Sequence, residues 1–311
     1  MVEDIFSVEL AVGEKLTIRK NHIVSDSNPN GPRISIVTGI HGDEMEGQFV
    51  CYEIARLIAE HPEHLKGVVD IYPAANPMGL DMATREVPKL EMDMNRMFPG
   101  NNYGTATERI AAALVEDIIG SDICVDVHSS DNYVREIPQV RLSSEFADKL
   151  LPLARLTNVD IIWVNASTSV HESTLAHSMN CMGVPTMVIE MGQGMRINRL
   201  FGEQVVIGIF NLMKEKGIWD GEVAITQMPA ISTDGEVDFI RAECTGVFLP
   251  SIAHNHYVQA GEPIGQIIDV LRGELLQEIK AERDGLVFTL REYPFVTKGA
   301  LLARILWQVV E

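Results

Sequence analysis

From residue 34 onward the apolar positions alternate between two textures. The segments 34–40, 68–72, 123–127, 161–164 and 186–189 are short, nearly continuous runs rich in β-branched residues, as expected of strands buried on both faces. Between them, residues 45–59, 107–119, 144–156, 173–182 and 199–216 space their apolar side chains along one helical face. Gly120, Gly183 and Gly217 stand just beyond three of these segments, where a glycine can adopt the left-handed conformation that ends a helix. This alternation predicts an α/β fold: a mostly parallel or mixed sheet flanked by helices. A short N-terminal strand pair precedes it, joined to the first core strand by the turn-rich segment Ser-Asp-Ser-Asn-Pro-Asn-Gly-Pro at 25–32.

After about residue 225 the texture changes to short strands punctuated by glycine, and a weak repeat emerges. Residues 257–268 and 295–306 match at Val258/Val296, Gly261/Gly299, Ile264/Leu302 and Ile267/Ile305. Two copies of a strand–turn–strand unit predict a small β barrel-sandwich with pseudo-twofold symmetry. The chain therefore divides into a domain at 1–225 and a β-rich domain at 226–311 resembling a biotinyl/lipoyl barrel-sandwich. A carrier domain of that kind would need a lysine in the hairpin between its halves. Residues 269–274 read Asp-Val-Leu-Arg-Gly-Glu and offer none, so a structural or substrate-screening role is expected in place of a carrier role.

Composition narrows the function classes. With 25 basic and 44 acidic residues the net charge is −19, which repels nucleic acid and anionic membrane surfaces. Glu3, Asp4, Glu9 and Glu14 interrupt the region where a signal peptide would carry a basic start and an apolar run, so the expected compartment is the cytoplasm. Cys51, Cys124, Cys181 and Cys244 lie far apart with no Cys-x-x-Cys pair, and they read as reduced core thiols. The expected partner is a small molecule; assembly into a homo-oligomer stays open.

The candidate chemistry sits on the predicted strand ends. His41 follows the first core strand, with Glu44 three residues later; His128 follows the 123–127 strand; Glu190 ends the 186–189 strand. In open α/β sheets the ligand crevice forms beyond the carboxyl ends of the strands, so these residues should meet. Two imidazoles and a carboxylate suit Zn²⁺, and three protein ligands leave a position open for catalysis. Glu190, followed by Met-Gly-Gln-Gly, is placed to act as general base. In the loop that follows Asn76-Pro-Met-Gly, Arg85 is a candidate oxyanion stabiliser, and Asn95 with Arg96 a candidate grip on a substrate carboxylate. His254-Asn-His256 would point both imidazoles to one face of a strand, but it lies in the β-rich end without a nearby carboxylate–histidine partner and reads as a surface pair.

Taken in order, His41-Gly-Asp-Glu44, Asp93-Met-Asn-Arg96, Asp126-Val-His128 and Ile189-Glu-Met-Gly192 resemble the succinylglutamate desuccinylase/aspartoacylase family of the zinc carboxypeptidase superfamily. The resemblance spans roughly residues 30–310. It implies a zinc carboxypeptidase-like fold holding one Zn²⁺ per chain by His41, Glu44 and His128. It also implies Glu190 as base, Arg85 at the carbonyl, Asn95 with Arg96 at a carboxylate, and hydrolysis of a small N-acylated amino acid or amine. Family members acting on N-acyl aspartate or succinylglutamate are expected to carry a further arginine shortly before the catalytic glutamate. Here residues 171–186 hold only His171 and His177 as basic-type side chains, leaving Arg135, Arg141 and Arg196 to supply that charge from other loops. The rival readings are a metallocarboxypeptidase trimming small peptides and a non-catalytic metal-containing binding module.

Overall fold

The computed structural model describes residues 1–89, 92–165 and 172–307. In its first two-thirds the elements run β1 (Val2–Glu9), β2 (Lys15–Val24), β3 (Arg33–Thr38), α1 (Glu46–Glu60), β4 (Val68–Tyr72), α2 (Pro77–Met82), α3 (Ala106–Ile118), β5 (Ile123–Ser129), β6 (Val134–Ser143), α4 (Ala147–Ala154), β7 (Ile161–Asn165), α5 (Leu175–Cys181), β8 (Thr186–Gly192) and α6 (Arg199–Glu215). The five predicted core strands and five predicted helices are all present with small shifts at their ends, and Gly120, Gly183 and Gly217 take positive φ just past three helices.

The sheet runs β1-β2-β4-β3-β5-β8-β6 through this part of the chain. Strands β4, β3, β5 and β8 are mutually parallel, and antiparallel β2 and β6 flank them. Because successive strand residues face opposite ways, Ile34, Ile36, Val125 and Val127 pack under α1 and α6, while Val37 and Cys124 pack under α3 and α5.

One strand was not anticipated. Residues 134–143 form β6, so Arg135 and Arg141 stand in the sheet and not on loops. The segment reads Val-Arg-Glu-Ile-Pro-Gln-Val-Arg-Leu-Ser, whose charges and proline hide its strand character. The pairing with β8 breaks register between Glu136 and Gln139, which accommodates Pro138.

The remaining strands are β9 (Ala230–Thr233), β10 (Val237–Arg241), β11 (Gly246–Pro250), β12 (His256–Val258), β13 (Pro263–Asp269), β14 (Glu274–Lys280), β15 (Gly285–Arg291), β16 (Phe295–Val296) and β17 (Leu301–Leu306). The repeat has a structural counterpart: β11 pairs with β13 and β16, just as β15 pairs with β17 and β12. Gly261 and Gly299 occupy matching turns at φ 85° and 89°. Through β15, paired with β6 at Val134–Glu136, this unit continues the main sheet.

Candidate metal centre and active-site cavity

His41 lies three residues beyond β3, on a turn that needs two glycines. Gly39 has φ 65°, and a Cβ on Gly42 would fall 1.9 Å from the carbonyl carbon of Gly79. The chain then reaches Glu44 just before α1 begins. His128 and Glu190 lie inside β5 and β8, not past their ends, and are register partners across the parallel pair, which sets their side chains on the same face.

These residues converge. Glu44 bridges the two imidazoles, Oε1 lying 2.7 Å from Nδ1 of His41 and Oε2 2.7 Å from Nδ1 of His128. The far nitrogens face further carboxylates: Asp93 Oδ1 is 3.1 Å from His41 Nε2, and Asp126 Oδ2 is 3.0 Å from His128 Nε2. His41, Glu44 and His128 are all buried, and each offers a ligand atom within 4.8 Å of the others. Two imidazole nitrogens and one carboxylate oxygen, with His41 hydrogen-bonded to Asp93 and His128 facing Asp126, are a donor set that fits a divalent cation with an open coordination position.

Electrostatics reflect this crowding. Burial alone would lower His41 and His128, but Glu44 and Asp93 outweigh it for the first ring and Asp126 and Glu44 for the second, so both are raised. Glu44 is driven well below the ordinary carboxylate range because the two histidines overcome its desolvation. Glu190 moves the opposite way: burial raises it, Glu44 and Glu136 add to the rise, and Arg141 and His128 only partly oppose it.

A cavity of about 330 Å³ opens on this cluster, lined by the metal-type residues together with Arg85, Asn95, Arg96, Arg141, Glu190 and Arg304. Arg85 lies 3.3 Å from Glu44 Oε1 and 3.1 Å from Asp93 Oδ2. The side-chain oxygen of Asn95 accepts from the backbone N–H of Leu175 at 3.0 Å, which ties its loop to the start of α5. Arg96 makes no ion pair among the described residues and is exposed at the cavity.

Of the three further arginines, Arg141 reaches the cavity and lies 3.3 Å from Glu190 Oε1. Arg135 stacks on Phe201 outside it, and Arg196 is exposed elsewhere. His171 lies outside the described residues.

Other expectations are corrected. His256 begins β12 while His254 precedes it across Asn255, which has φ 58°, so the two do not share a strand face. The cysteines are unpaired, yet Cys181 is exposed and Cys244 half-buried; only Cys51 and Cys124 are core thiols.

Sequence reasoning missed the carboxylate backing of the histidines, the Glu136–Arg141–Arg304 cluster, and the far walls of the cavity at Phe146, His177 and Asn180. Asp126 was legible in principle, since the i, i+2 spacing of Asp-Val-His puts both side chains on one strand face. Nothing local to Arg304, 114 residues beyond Glu190, signals its place here.

The profile of the family described as succinylglutamate desuccinylase/aspartoacylase catalytic domain matches residues 30–215. The N-alpha-acetyl-L-2,4-diaminobutyric acid deacetylase of Halomonas elongata is 26% identical over 292 residues, covering 90% of this chain and 83% of the relative. A succinylglutamate desuccinylase/aspartoacylase structure from Rhodobacter sphaeroides superposes with a TM-score of 0.81 at 25% identity, covering 96% of this chain and 93% of the other. The product-bound ectoine utilization protein EutE (DoeB) from Ruegeria pomeroyi shares the fold, with a TM-score of 0.82 at 21% identity and coverage of 97% and 93%.

Proposed function

This chain belongs to the succinylglutamate desuccinylase/aspartoacylase family, and we propose that it is a zinc-dependent amidohydrolase that removes the acyl group from an N-acylated amino acid or related small amine. The observation that carries this reading is the meeting of His41, Glu44 and His128 in one buried cluster, with Glu190 on the adjacent strand in register with His128. The deacetylase activity named for the Halomonas elongata relative supports an acyl group on a small amine over a long peptide. The cavity of about 330 Å³ suits a substrate of that size.

In this reading His41, Glu44 and His128 hold one Zn²⁺. When bound, the ion would supply Lewis-acid activation of water and of the scissile carbonyl. Glu190, whose affinity for a proton is raised by burial, accepts the proton of the attacking water and returns it to the leaving nitrogen. Arg85 stands beside Glu44 to donate to the oxygen on which negative charge develops. Arg96 and the side-chain NH₂ of Asn95 meet a substrate carboxylate at the cavity wall.

The test joins metal analysis to a substrate panel. We expect about one zinc per chain, the ratio set by a single three-ligand site. We also expect release of acid from N-acetyl or N-succinyl amino acids, N-alpha-acetyl-2,4-diaminobutyrate among them. Glu190→Gln should keep the zinc and lower kcat by roughly 10²–10⁴-fold, the scale of a lost general base. Release of C-terminal residues from short peptides would make the chain a carboxypeptidase instead. A zinc-loaded protein inert to every amide would make it a binding module.

A further inference from the structure

Four charged side chains form a line along one wall of the cavity. Glu136 on β6 is fully buried, and its oxygens are occupied from two sides. Oε1 accepts from Thr289 Oγ1 at 3.0 Å and from Arg304 Nη1, both on strands of the C-terminal unit. Oε2 accepts from Arg141 Nη2 at 2.7 Å, and the other arm of Arg141 lies 3.3 Å from Glu190 Oε1. Both guanidinium groups lie over the ring of Trp163, at 5.7 Å for Arg141 and 5.6 Å for Arg304. The line is charge-balanced, two cations against two anions, and Arg304 itself lines the cavity.

We propose that Arg304 is a positioning residue: by occupying one oxygen of Glu136, it leaves Arg141 a single arm to spend there and so keeps the second arm on Glu190. The inference rests on the reading of Glu190 as the base. Its physical core is competition for a buried carboxylate. With Arg304 in place, Glu136 is a shared anion whose Oε1 is satisfied from β15 and β17. Without it, Glu136 is a buried charge facing one cation, and a two-armed grip by Arg141 becomes its best compensation, since bidentate pairing is the strongest geometry an arginine and a carboxylate can adopt. Arg141 then turns away from Glu190.

Crystal structures and kinetics of the zinc-loaded full chain test this. In Arg304→Met, both arms of Arg141 should sit on Glu136, and its distance to Glu190 should exceed about 4 Å, beyond hydrogen-bond reach. Where turnover is measured, kcat should fall about tenfold or more with KM and zinc content little changed, the scale of coupling within one contact network. The double variant Glu136→Gln/Arg304→Met removes anion and cation together. It should return Arg141 to Glu190 and recover kcat above either single variant, a rescue that a merely structural role would not produce. If Arg304→Met does not fold, the double variant against Glu136→Gln alone carries the same comparison. Arg141 remaining on Glu190 in Arg304→Met, or two losses that simply multiply in the double variant, would overturn the proposal. Glu190→Gln run in parallel keeps the two readings apart: full turnover there removes the base assignment, while the position of Arg141 still decides the brace.

Discussion

At the scale of single residues, the site is built from acids that answer to different neighbours. Glu44 is held low by two histidines, whereas Glu46, two residues on, is buried and makes no ion pair among the described residues. Glu46 Oε2 accepts from the backbone N–H of Asn198 at 2.7 Å, and so ties the start of α1 to the loop that follows Glu190. Gly192 leaves room for it, because a Cβ there would lie 1.8 Å from Glu46 Oε1. Burial pushes the Glu46 carboxyl up to about 7 from its ordinary 4.5, against the pull of the Asn198 N–H and Arg135. Between those values the folded protein keeps a proton that the unfolded chain has released. The contribution of this group to stability is therefore greatest below pH 4.5 and declines as pH rises through about 7. The loss is at most on the order of 3 kcal/mol. Glu46→Gln keeps an oxygen for Asn198 and removes the titration. Thermal unfolding of both proteins at pH 5 and pH 8 should show a smaller loss of Tm in the variant, and parallel losses would contradict the assignment. That His41, Glu44, His128 and Glu190 meet at one cavity was legible in the sequence because metal-type residues beside apolar runs are rare; Glu46 was not, because nothing local distinguishes a buried acid from a solvated helix start.

At the scale of elements, strands and helices were legible wherever burial follows a single period. The parallel strands are apolar throughout because both faces are covered, and the helices carry one apolar stripe. β6 escaped because its inward charges are compensated by distant partners, Glu136 by Arg304 and Arg141 by Glu190, and such compensation leaves no trace in a local pattern. The loop between β3 and α1 carries two of the three clustered residues, His41 and Glu44. Its Gly42 faces the backbone of Gly79 on α2, which cannot yield as a flexible side chain would. Gly42→Ala should destabilise the protein by about 1–3 kcal/mol or more, as overpacking does, and should lower zinc occupancy by displacing His41. Gly235→Ala is the control, since a Cβ there meets nothing within 4 Å, and its effect should stay within about 0.5 kcal/mol. Equal denaturation midpoints for the two variants would show that the loop can shift freely.

At the scale of the whole molecule, the sheet does not stop where the texture of the sequence changes. β15 pairs with β6, and a core cluster joins Ile137, Ile161 and Trp163 from the first part of the chain to Val237, Phe288 and Leu306 from the second. The repeat made the pseudo-twofold unit legible, but its junction with the sheet was not, because pairing between strands about 150 residues apart has no signature in either strand. No helix among the described residues is long and apolar enough to cross a membrane. A chain ending at residue 225 would lose the strand that covers β6 at Val134–Glu136, expose Ile137 and Trp163, and leave Glu136 buried without Thr289 and Arg304. An unpaired strand edge beside exposed apolar side chains promotes association between chains. The truncated protein should therefore aggregate or unfold without a sharp transition, while the full chain should unfold in one calorimetric step despite its two architectures. Two separate transitions in the full chain, or a monomeric truncated form that binds zinc and melts cooperatively, would show that the junction is an ordinary interface between independent units. One shared transition would place Arg304 and its ion pair with Glu136 inside the same cooperative unit as His41, Glu44 and His128.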